Sequence, residues 1–120
     1  MKVYVASKWE NKPRVKEIMT ILREHGHTIT YDWTECEVSN VEQAILDLRG
    51  VADADILVGV FEKDTAYKGS LVELGAALAL GKPVYILGDA PVIYDCIFFR
   101  HPHVRRVNDI WEVISEKGWE

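Results

Sequence analysis

Apolar residues along this chain recur at two spacings, every second residue and every third or fourth, a pattern typical of strands that alternate with helices. Residues 3–6 predict a first strand, and a helix follows with Asn11 as its cap, Pro13 in its first turn and Gly26 at its end. Alternating β-branched and aromatic residues over 27–33 predict the second strand. The buried face of the first helix is predicted to hold Val15, Ile18, Met19 and Leu22.

The middle of the chain joins a helix start to a continuous apolar run. Ser39 and Glu42 have the spacing of a capping box, which predicts a second helix. The apolar run over 56–61 predicts a central parallel strand that is covered on both faces, and a polar loop over 62–69 follows it. The inward residues of the second helix are expected to be Val41, Ala44, Ile45 and Leu48.

The last third of the chain repeats the alternation of helix and strand. Ser70 and Glu73 again have the capping-box spacing and predict a third helix over 71–80, which ends at Gly81. Residues 89–99 have no clear pattern. The remaining elements are predicted to be a fourth strand over 84–87, an edge strand over 104–107 and a last helix that Asn108 caps and that runs through Ile114.

This order of elements predicts an α/β fold, a single domain over residues 1–120 whose right-handed crossovers produce one doubly wound parallel sheet. Five strands suit a flavodoxin-like sheet with the strand order 2-1-3-4-5. Ligands bind such sheets at the carboxyl ends of the strands, near the switch point between the first and third strands. The expected site is therefore built from residues 6–9, the loop over 62–70 and the segment after Leu87.

The charge balance narrows the class of partner. The 120 residues include 14 Lys and Arg against 19 Asp and Glu, a formal net charge of −5. This acidity argues against a nucleic-acid polymer or an anionic membrane as a partner, because both attract a basic face. No apolar run approaches the roughly 18–20 residues that span a bilayer. The first residues predict a strand rather than a signal peptide. Without a secretion signal, Cys36 and Cys96 are expected to be reduced thiols, and a cytoplasmic location is expected.

Glu73 is the first candidate for chemistry. It follows a glycine turn in the segment Gly69-Ser70-Leu71-Val72-Glu73, and glycine leaves room for a ligand at a helix start. The positive end of the helix is expected to keep the Glu73 carboxylate ionised, as a nucleophile toward an electron-poor carbon requires. The alternative is purely structural, since the same spacing is that of a helix cap.

Asp47 is the second candidate. It is expected near the end of the second helix, where the helix dipole disfavours a carboxylate and raises its pKa. The alternative is an acid on a solvated helix face. Asp53 and Asp55 come just before the third strand, at the edge of the sheet opposite to the expected site, and we interpret them as turn acids.

Aromatic and basic residues cluster around the carboxyl end of the first strand. The Tyr4 hydroxyl has the reach to bind a carboxylate and Trp9 can stack on a planar ring, although both can equally be packing residues. The nearby cations are either phosphate ligands or solvated surface residues. These cations are Lys8, Lys12, Arg14 and Lys68.

Several other chemistries lack their sequence signals. The chain has no Gly-x-x-x-x-Gly-Lys-Ser/Thr and no Gly-x-Gly-x-x-Gly, so the fingerprints of nucleoside triphosphate and dinucleotide binding are absent. Gly-x-Ser-x-Gly, the usual hydrolase elbow, is also missing. His101 and His103 have no clear third ligand near them, so no metal site is expected.

Three segments, taken together, resemble the nucleoside 2-deoxyribosyltransferase family. Residues 3–9, Val-Tyr-Val-Ala-Ser-Lys-Trp, are similar to the first strand and loop of the family, and residues 47–61 are similar to its Asp-led helix end and third strand. The most specific segment, 69–84, contains Glu-Leu-Gly and Gly-Lys-Pro and is similar to the helix that carries the nucleophile. The resemblance covers residues 2–88.

The resemblance implies roles for individual residues. Glu73 would be the nucleophile, Asp47 would serve the base and Tyr4 would orient Glu73. Tyr67 stands where the family often has an acidic residue that helps to hold the base. Asp95 is the nearest match to a residue that family members borrow from a neighbouring subunit, which implies a homo-oligomer. The substrate-binding residues implied in this way are Ala6, Ser7, Trp9, Tyr67, Gly69, Ser70 and Asp95.

The implied reaction is the transfer of 2-deoxyribose between the nucleobases of deoxynucleosides, through a covalent ester on Glu73 and without a metal or organic cofactor. The partners are then a deoxynucleoside or deoxynucleotide and a free nucleobase. Two alternatives remain open. If water accepts the sugar, the protein hydrolyses the N-glycosidic bond of deoxynucleoside 5′-monophosphates; a non-catalytic nucleotide-binding module can also use this scaffold. One cavity shared by Asp47 and Glu73 would favour an enzyme.

Overall fold

Five parallel strands form the centre of the structure, a computed structural model that describes residues 1–36, 40–63 and 66–116. The strands are β1 (Lys2–Ala6), β2 (Thr28–Ile29), β3 (Ile56–Val60), β4 (Val84–Leu87) and β5 (Val104–Val107). They are hydrogen-bonded in the order β2-β1-β3-β4-β5, and every neighbouring pair is parallel. This confirms the predicted α/β fold and its strand order.

In the described part of the chain, four α-helices connect the strands and a fifth follows β5. They are α1 (Lys12–Glu24), α2 (Val41–Asp53), α3 (Gly69–Ala79), α4 (Val92–Asp95) and α5 (Ile110–Glu116). Gly26 and Gly81 follow α1 and α3 with φ of 84° and 74°, a backbone conformation that glycine adopts without strain, and so end these helices as predicted. Among the described residues, no helix is both long and apolar enough to cross a membrane.

The core lies around β1 and β3. All five residues of β3 are buried, which is the reason that its sequence is a continuous apolar run rather than an alternating one. The predicted inward face of α1 is confirmed, since its four apolar residues have at most 1% of their surface exposed. Residues 89–99, which had no clear sequence pattern, contain the short helix α4 and the beginning of a 3-10 turn over Ile97–Arg100.

The second strand is much shorter than predicted. The sequence pattern indicated residues 27–33, whereas β2 contains only Thr28 and Ile29. Asp32 instead uses its carboxylate to accept a hydrogen bond from the backbone N–H of Thr34 at 3.0 Å, which starts a 3-10 turn. Such a local side-chain bond competes with strand pairing, so the propensity of the segment for strand is overridden.

Two of the predicted helix caps are replaced by their neighbours. Ser39 lies outside the described residues, and the cap of α2 is Asn40, whose side chain accepts the backbone N–H of Gln43 at 3.0 Å. Asp109 rather than Asn108 caps α5, because its Oδ1 accepts the backbone N–H three residues further on at 3.0 Å. Both caps use the same interaction as the predicted ones, displaced by one residue.

Helix α2 does not turn its predicted apolar face inward. Val41, Ile45 and Leu48 have 79%, 53% and 43% of their surface exposed. The buried residues of α2 are Gly50 and Val51, in its last turns. The helix is therefore anchored at its C-terminal end. Its first turns extend beside the carboxyl edge of the sheet, where they line a cavity with Asn40, Gln43, Ala44 and Asp47.

Candidate active site

A cavity of about 740 Å³ opens at the carboxyl ends of β1 and β3, as the strand order predicts. The loop after β1 forms one wall, α2 forms a second and the start of α3 forms the third. The segment after β4, which the same rule also indicated, contributes instead to a separate cavity of about 480 Å³ between Gly88 and Asn108. The first cavity contains both candidate carboxylates.

Glu73 is held at the floor of the cavity by Tyr4. The hydroxyl of Tyr4 donates a hydrogen bond of 2.6 Å to Glu73 Oε2, and both residues are buried. Tyr4 lies in β1, against α2 at Gly50, where a Cβ atom would be 3.0 Å from Tyr4 Cδ2. The missing side chain of Gly50 therefore leaves room for the ring that orients Glu73.

The predicted capping box of α3 is absent. Neither Ser70 nor Glu73 binds the backbone at the start of the helix: the Glu73 side chain is bonded to Tyr4, and Ser70 Oγ is buried without a partner among the described residues. Glu73, whose spacing from Ser70 suggested a helix cap, instead lines the cavity together with Gly69 and Ser70. Of the two interpretations of this motif, the local structural one is wrong.

The protonation of Glu73 also differs from the expectation. Burial raises the pKa of its carboxyl to about 8; the hydrogen bond from Tyr4 opposes this rise, and the negative charge of Asp47 adds to it. The start of α3 therefore does not keep Glu73 ionised as expected, because removal of water from the carboxylate outweighs the favourable contacts. Burial and the charge of Glu73 also raise the pKa of Tyr4, which consequently remains a hydrogen-bond donor.

Asp47 lies in the middle of α2, not near its end. Its pKa is raised to about 6, in the predicted direction, but the cause is burial rather than the helix dipole. Asp47 Oδ1 is buried without a hydrogen-bond partner among the described residues. Asp47 and Glu73 thus come from separate segments and line one cavity. The pKa of each carboxyl group is raised there.

The other predicted site residues divide into two groups. Four of them line the cavity, namely Ser7, Trp9, Gly69 and Ser70. Three do not line it: Ala6 is fully buried in the sheet, Tyr67 is 5% exposed within the core, and Asp95 is an exposed residue at the end of α4.

Tyr67 belongs to a buried polar network between two loops. Its hydroxyl accepts a hydrogen bond of 3.0 Å from Asn11 Nδ2 and donates one of 3.1 Å to the carbonyl of Lys63. Asn11 Nδ2 also donates to Ser7 Oγ at 2.9 Å, so the side chain predicted to cap α1 instead joins the loop after β1 to the loop after β3. Ser7 Oγ completes the link by donating to the carbonyl of Val60 at 2.6 Å.

The four basic residues predicted near the site differ in their contacts and in whether they line the cavity. Arg14 Nε is paired with Glu62 at 3.1 Å, and Lys12 lies over the ring of Trp9 at 4.3 Å. Lys8 and Lys68 line the cavity, and Lys8 Nζ donates to the carbonyl of Ala66 at 2.6 Å. Two of the four predicted cations are thus at the cavity itself.

The sequence interpretation missed six further lining residues, which are Glu10, Trp33, Cys36, Asn40, Gln43 and Ala44. Trp33 is fixed by a hydrogen bond of 2.7 Å from its indole Nε1 to the carbonyl of Val5. Asn40, Gln43 and Asp47 follow each other at helical spacing, and this polar stripe was the signal that could have identified them. Within the described part of the chain, no cluster of metal-ligating side chains is present.

Replacing Glu73 by Gln is expected to stabilise the fold at alkaline pH. Because folding raises the pKa of Glu73 from its ordinary value of 4.5 to about 8, the folded state holds its proton more tightly and loses stability as the pH rises through this interval. Gln cannot ionise, so Glu73→Gln should raise the free energy of unfolding by on the order of 5 kcal/mol at pH 9 and by little at pH 4.

Urea denaturation at both pH values, at one protein concentration, measures this difference. Glu24→Gln is the control, because Glu24 is exposed on α1. A stability difference for Glu73→Gln that does not change with pH would contradict the effect of burial on the Glu73 carboxyl.

A protein-family model described as Nucleoside 2-deoxyribosyltransferase matches residues 3–101. The match extends from β1 to the segment before β5 and includes Tyr4, Asp47 and Glu73. A search of curated proteins finds no match.

Solved structures share the fold over almost the whole chain. A 2-deoxyribosyltransferase from the psychrotolerant bacterium Bacillus psychrosaccharolyticus is 26% identical with a TM-score of 0.72, over 94% of this chain and 90% of that chain. The CMP N-glycosidase BcmB of Clostridium botulinum is 20% identical with a TM-score of 0.69, over 100% of both chains. A conserved protein from Enterococcus faecalis V583 is 14% identical with a TM-score of 0.64, over 97% and 96%. The last two similarities support the fold alone.

Proposed function

We infer the function from one premise, that this chain belongs to the nucleoside 2-deoxyribosyltransferase family. The family model and the 2-deoxyribosyltransferase relative support an enzyme that acts on the N-glycosidic bond of nucleosides or nucleotides. Within that class, the proposed reaction is the transfer of 2-deoxyribose from one nucleobase to another through an ester on Glu73. The observation that carries this proposal is the single cavity in which Glu73, bonded to Tyr4, and Asp47 lie together.

In the first half-reaction, the Glu73 carboxylate attacks C1′ of the sugar on the face opposite to the base. The C1′–N bond breaks, its electron pair passes to the ring nitrogen of the base, and that nitrogen takes the proton of the Asp47 carboxyl. The products are a free base and a deoxyribosyl ester on Glu73. The raised pKa of Asp47 suits a proton donor, and the hydrogen bond from Tyr4 fixes the direction of the attacking carboxylate.

In the second half-reaction, a ring nitrogen of the incoming base attacks C1′ and the ester bond to Glu73 breaks. The Asp47 carboxylate takes the N–H proton of that base, so both carboxyl groups return to their starting states. Two displacements at C1′ give net retention of configuration. The sugar stays bound between the two steps, and no group other than the two carboxyls and the two bases needs to exchange a proton.

A second candidate function is the hydrolysis of deoxynucleoside 5′-monophosphates. Lys8 and Lys68 line the cavity, and the hydroxyl of Ser70, which has no hydrogen-bond partner among the described residues, lies in the first turn of α3. Cations and a helix start are suited to a phosphate group. In this reaction water replaces the second base as the acceptor on the same Glu73 ester, and the products are a base and deoxyribose 5-phosphate.

An exchange assay separates the two reactions. Deoxyinosine is incubated with free adenine, and chromatography is expected to detect deoxyadenosine and hypoxanthine in equal amounts. A parallel incubation of a deoxynucleoside monophosphate without an acceptor base tests for deoxyribose 5-phosphate. Release of the sugar phosphate without exchange would replace the transferase by the hydrolase, and neither product in either assay, with several bases, would contradict both reactions.

The pH dependence of kcat/KM is expected to be bell-shaped. The reaction requires one proton on the pair formed by Asp47 and Glu73, and it must reside on Asp47 when Glu73 attacks. Because the pKa values are about 6 for Asp47 and about 8 for Glu73, the pair carries one proton mainly between these values. The rate should peak near pH 7 and fall about tenfold per pH unit outside the interval. A rate that is flat from pH 5 to pH 9 would contradict this assignment.

We also propose that the protein forms a homo-oligomer in the cytoplasm. Support comes from the apolar face of α2, which is exposed at Val41, Ile45 and Leu48 while its other face lines the cavity. Exposed apolar patches of this kind often form interfaces. A second copy would cover this face and bring a side chain such as Asp95 to the cavity mouth.

Sedimentation equilibrium is expected to give a mass of at least twice that of one chain. Ile45→Asp should shift the protein toward the monomer, because a charge in an apolar interface is desolvated without a partner. Glu42→Asp, on the exposed side of the same helix, is the control. A monomer with full activity would contradict the proposal.

A further inference from the structure

The polar stripe of α2 is the part of the cavity that the proposed reaction does not fully use. Asn40, Gln43 and Asp47 all line the cavity, and only Asp47 has a role in the reaction. The Oδ1 atom of Asn40 is engaged, since it accepts the backbone N–H of Gln43. Among the described residues, no hydrogen bond uses the side-chain amide of Gln43. Gln43 therefore offers an unengaged donor and acceptor at the cavity wall.

Gln43 and Asp47 are separated by one helical turn on the same face of α2. Side chains four residues apart on a helix have their Cβ atoms about 5–6 Å apart. In the proposed reaction, Asp47 exchanges a proton with the ring nitrogen that is bonded to C1′. A side chain one turn away from Asp47 on the same cavity wall is within reach of another part of a base held in this way.

Tyr67, in the loop after β3, does not offer a polar group to the base. The hydroxyl of Tyr67 is bonded to Asn11 and Lys63 inside the core, and its side chain does not line the cavity. The described lining residues of the loop after β3 are Ala66 and Lys68, neither of which carries an amide or a carboxylate. The carboxamides that line the cavity are those of Asn40, at the cap of α2, and of Gln43, in its first turn.

A carboxamide is suited to a nucleobase edge. It presents an N–H donor beside a C=O acceptor, the arrangement with which Gln binds the adjacent amino group and ring nitrogen of adenine in pairs of hydrogen bonds. Rotation of the amide by half a turn matches the carbonyl and ring N–H of an oxo base such as hypoxanthine. A base that lacks the exocyclic group offers only one of the two partners.

We propose that Gln43 is a specificity-determining residue that binds the donor and acceptor edge of the nucleobase, while Asp47 serves the ring nitrogen bonded to the sugar. The inference deepens the proposed function and rests on it for the position of the base. The ligand class is a purine or pyrimidine that carries an exocyclic amino or oxo group next to a ring nitrogen. Bases without that group should bind more weakly.

The test compares acceptor bases that differ by one group. Adenine, hypoxanthine and unsubstituted purine are supplied to the wild type and to Gln43→Met, in which a side chain of similar length lacks both polar atoms. The wild type is expected to prefer adenine and hypoxanthine over purine by about 10- to 100-fold in KM for the acceptor base. Gln43→Met should lose most of this preference, because binding of adenine and hypoxanthine should weaken more than binding of purine, which offers Gln43 only one hydrogen-bond partner.

Glu42→Met is the matched control, because Glu42 is exposed on the same helix and does not line the cavity. Isothermal titration of the three free bases against the same variants measures the preference without turnover. Loss of the preference in Gln43→Met in either measurement supports the inference, even if the wild type fails to transfer the sugar. An unchanged preference, a uniform loss with all three bases, or no base binding and no turnover at all would overturn it.

Discussion

Glu73→Gln is expected to lower kcat/KM for base exchange by roughly 10³-fold or more, because an amide cannot form the ester that carries the sugar between bases. Gln has nearly the same shape as Glu and can still accept the hydrogen bond from Tyr4. The loss should therefore arise from the chemistry and not from a rearranged cavity. The rate of deoxyadenosine formation from deoxyinosine and adenine measures the effect, and Glu24→Gln serves as the control.

A second variant separates a nucleophile from a group with a structural role. Glu73→Ala leaves space beside C1′ that a small anion such as azide can enter. If Glu73 is the nucleophile, azide should restore release of the base and give a deoxyribosyl azide. Full exchange activity in Glu73→Ala without azide would remove Glu73 from the reaction, whatever the activity of the wild type.

Asp47→Asn is expected to lower the exchange rate by about 10²- to 10⁴-fold, the range typical of a lost general acid. The loss should depend on the leaving base. The base of 7-methyl-2′-deoxyguanosine is cationic in the nucleoside and departs as neutral 7-methylguanine without a proton from the enzyme, so this substrate should lose its base almost normally in the variant. Chromatography of the released bases compares this substrate with deoxyinosine.

The pH profile of Asp47→Asn provides an independent readout. With only Glu73 left to titrate, the rate should rise with pH to a plateau instead of passing through a maximum. The midpoint should lie below that of the wild-type alkaline limb, because the charge of Asp47 contributes to the raised pKa of Glu73. Asp53→Asn, at the exposed end of the same helix, is the control. A bell that survives in Asp47→Asn would assign the acid to another group.

The strand order could be predicted because most of the strands and helices have a recognisable local pattern of apolar residues. The continuous apolar run of β3 indicates a strand covered on both faces, and the alternation of helices and strands leaves few arrangements for a parallel sheet. The position of the cavity follows, since parallel strands place their carboxyl ends at one edge. Local patterns also identified two candidate site residues. Glu73 was identified from its place after a glycine turn, and Tyr4 from its place within β1.

Other features depend on contacts between distant segments. The apolar residues of α2 have the spacing of a buried face, yet Val41 and Ile45 are exposed, because periodicity identifies a helix face but not what covers it. The spacing of Ser70 and Glu73 fits a helix cap equally well. The hydroxyl of Tyr4, 69 residues earlier in the chain, determines that Glu73 belongs to the cavity.

Sequence by itself therefore determined the sheet, its carboxyl-edge cavity and the types of side chain available there, because these follow from short-range spacing. Only the tertiary structure decided which of those side chains meet and in which protonation state. Tyr67 became part of a buried network, while Gln43 reached the cavity. The raised pKa values of Asp47 and Glu73 have the same origin, since the loss of hydration depends on every segment packed around a carboxyl group and not on its neighbours in sequence.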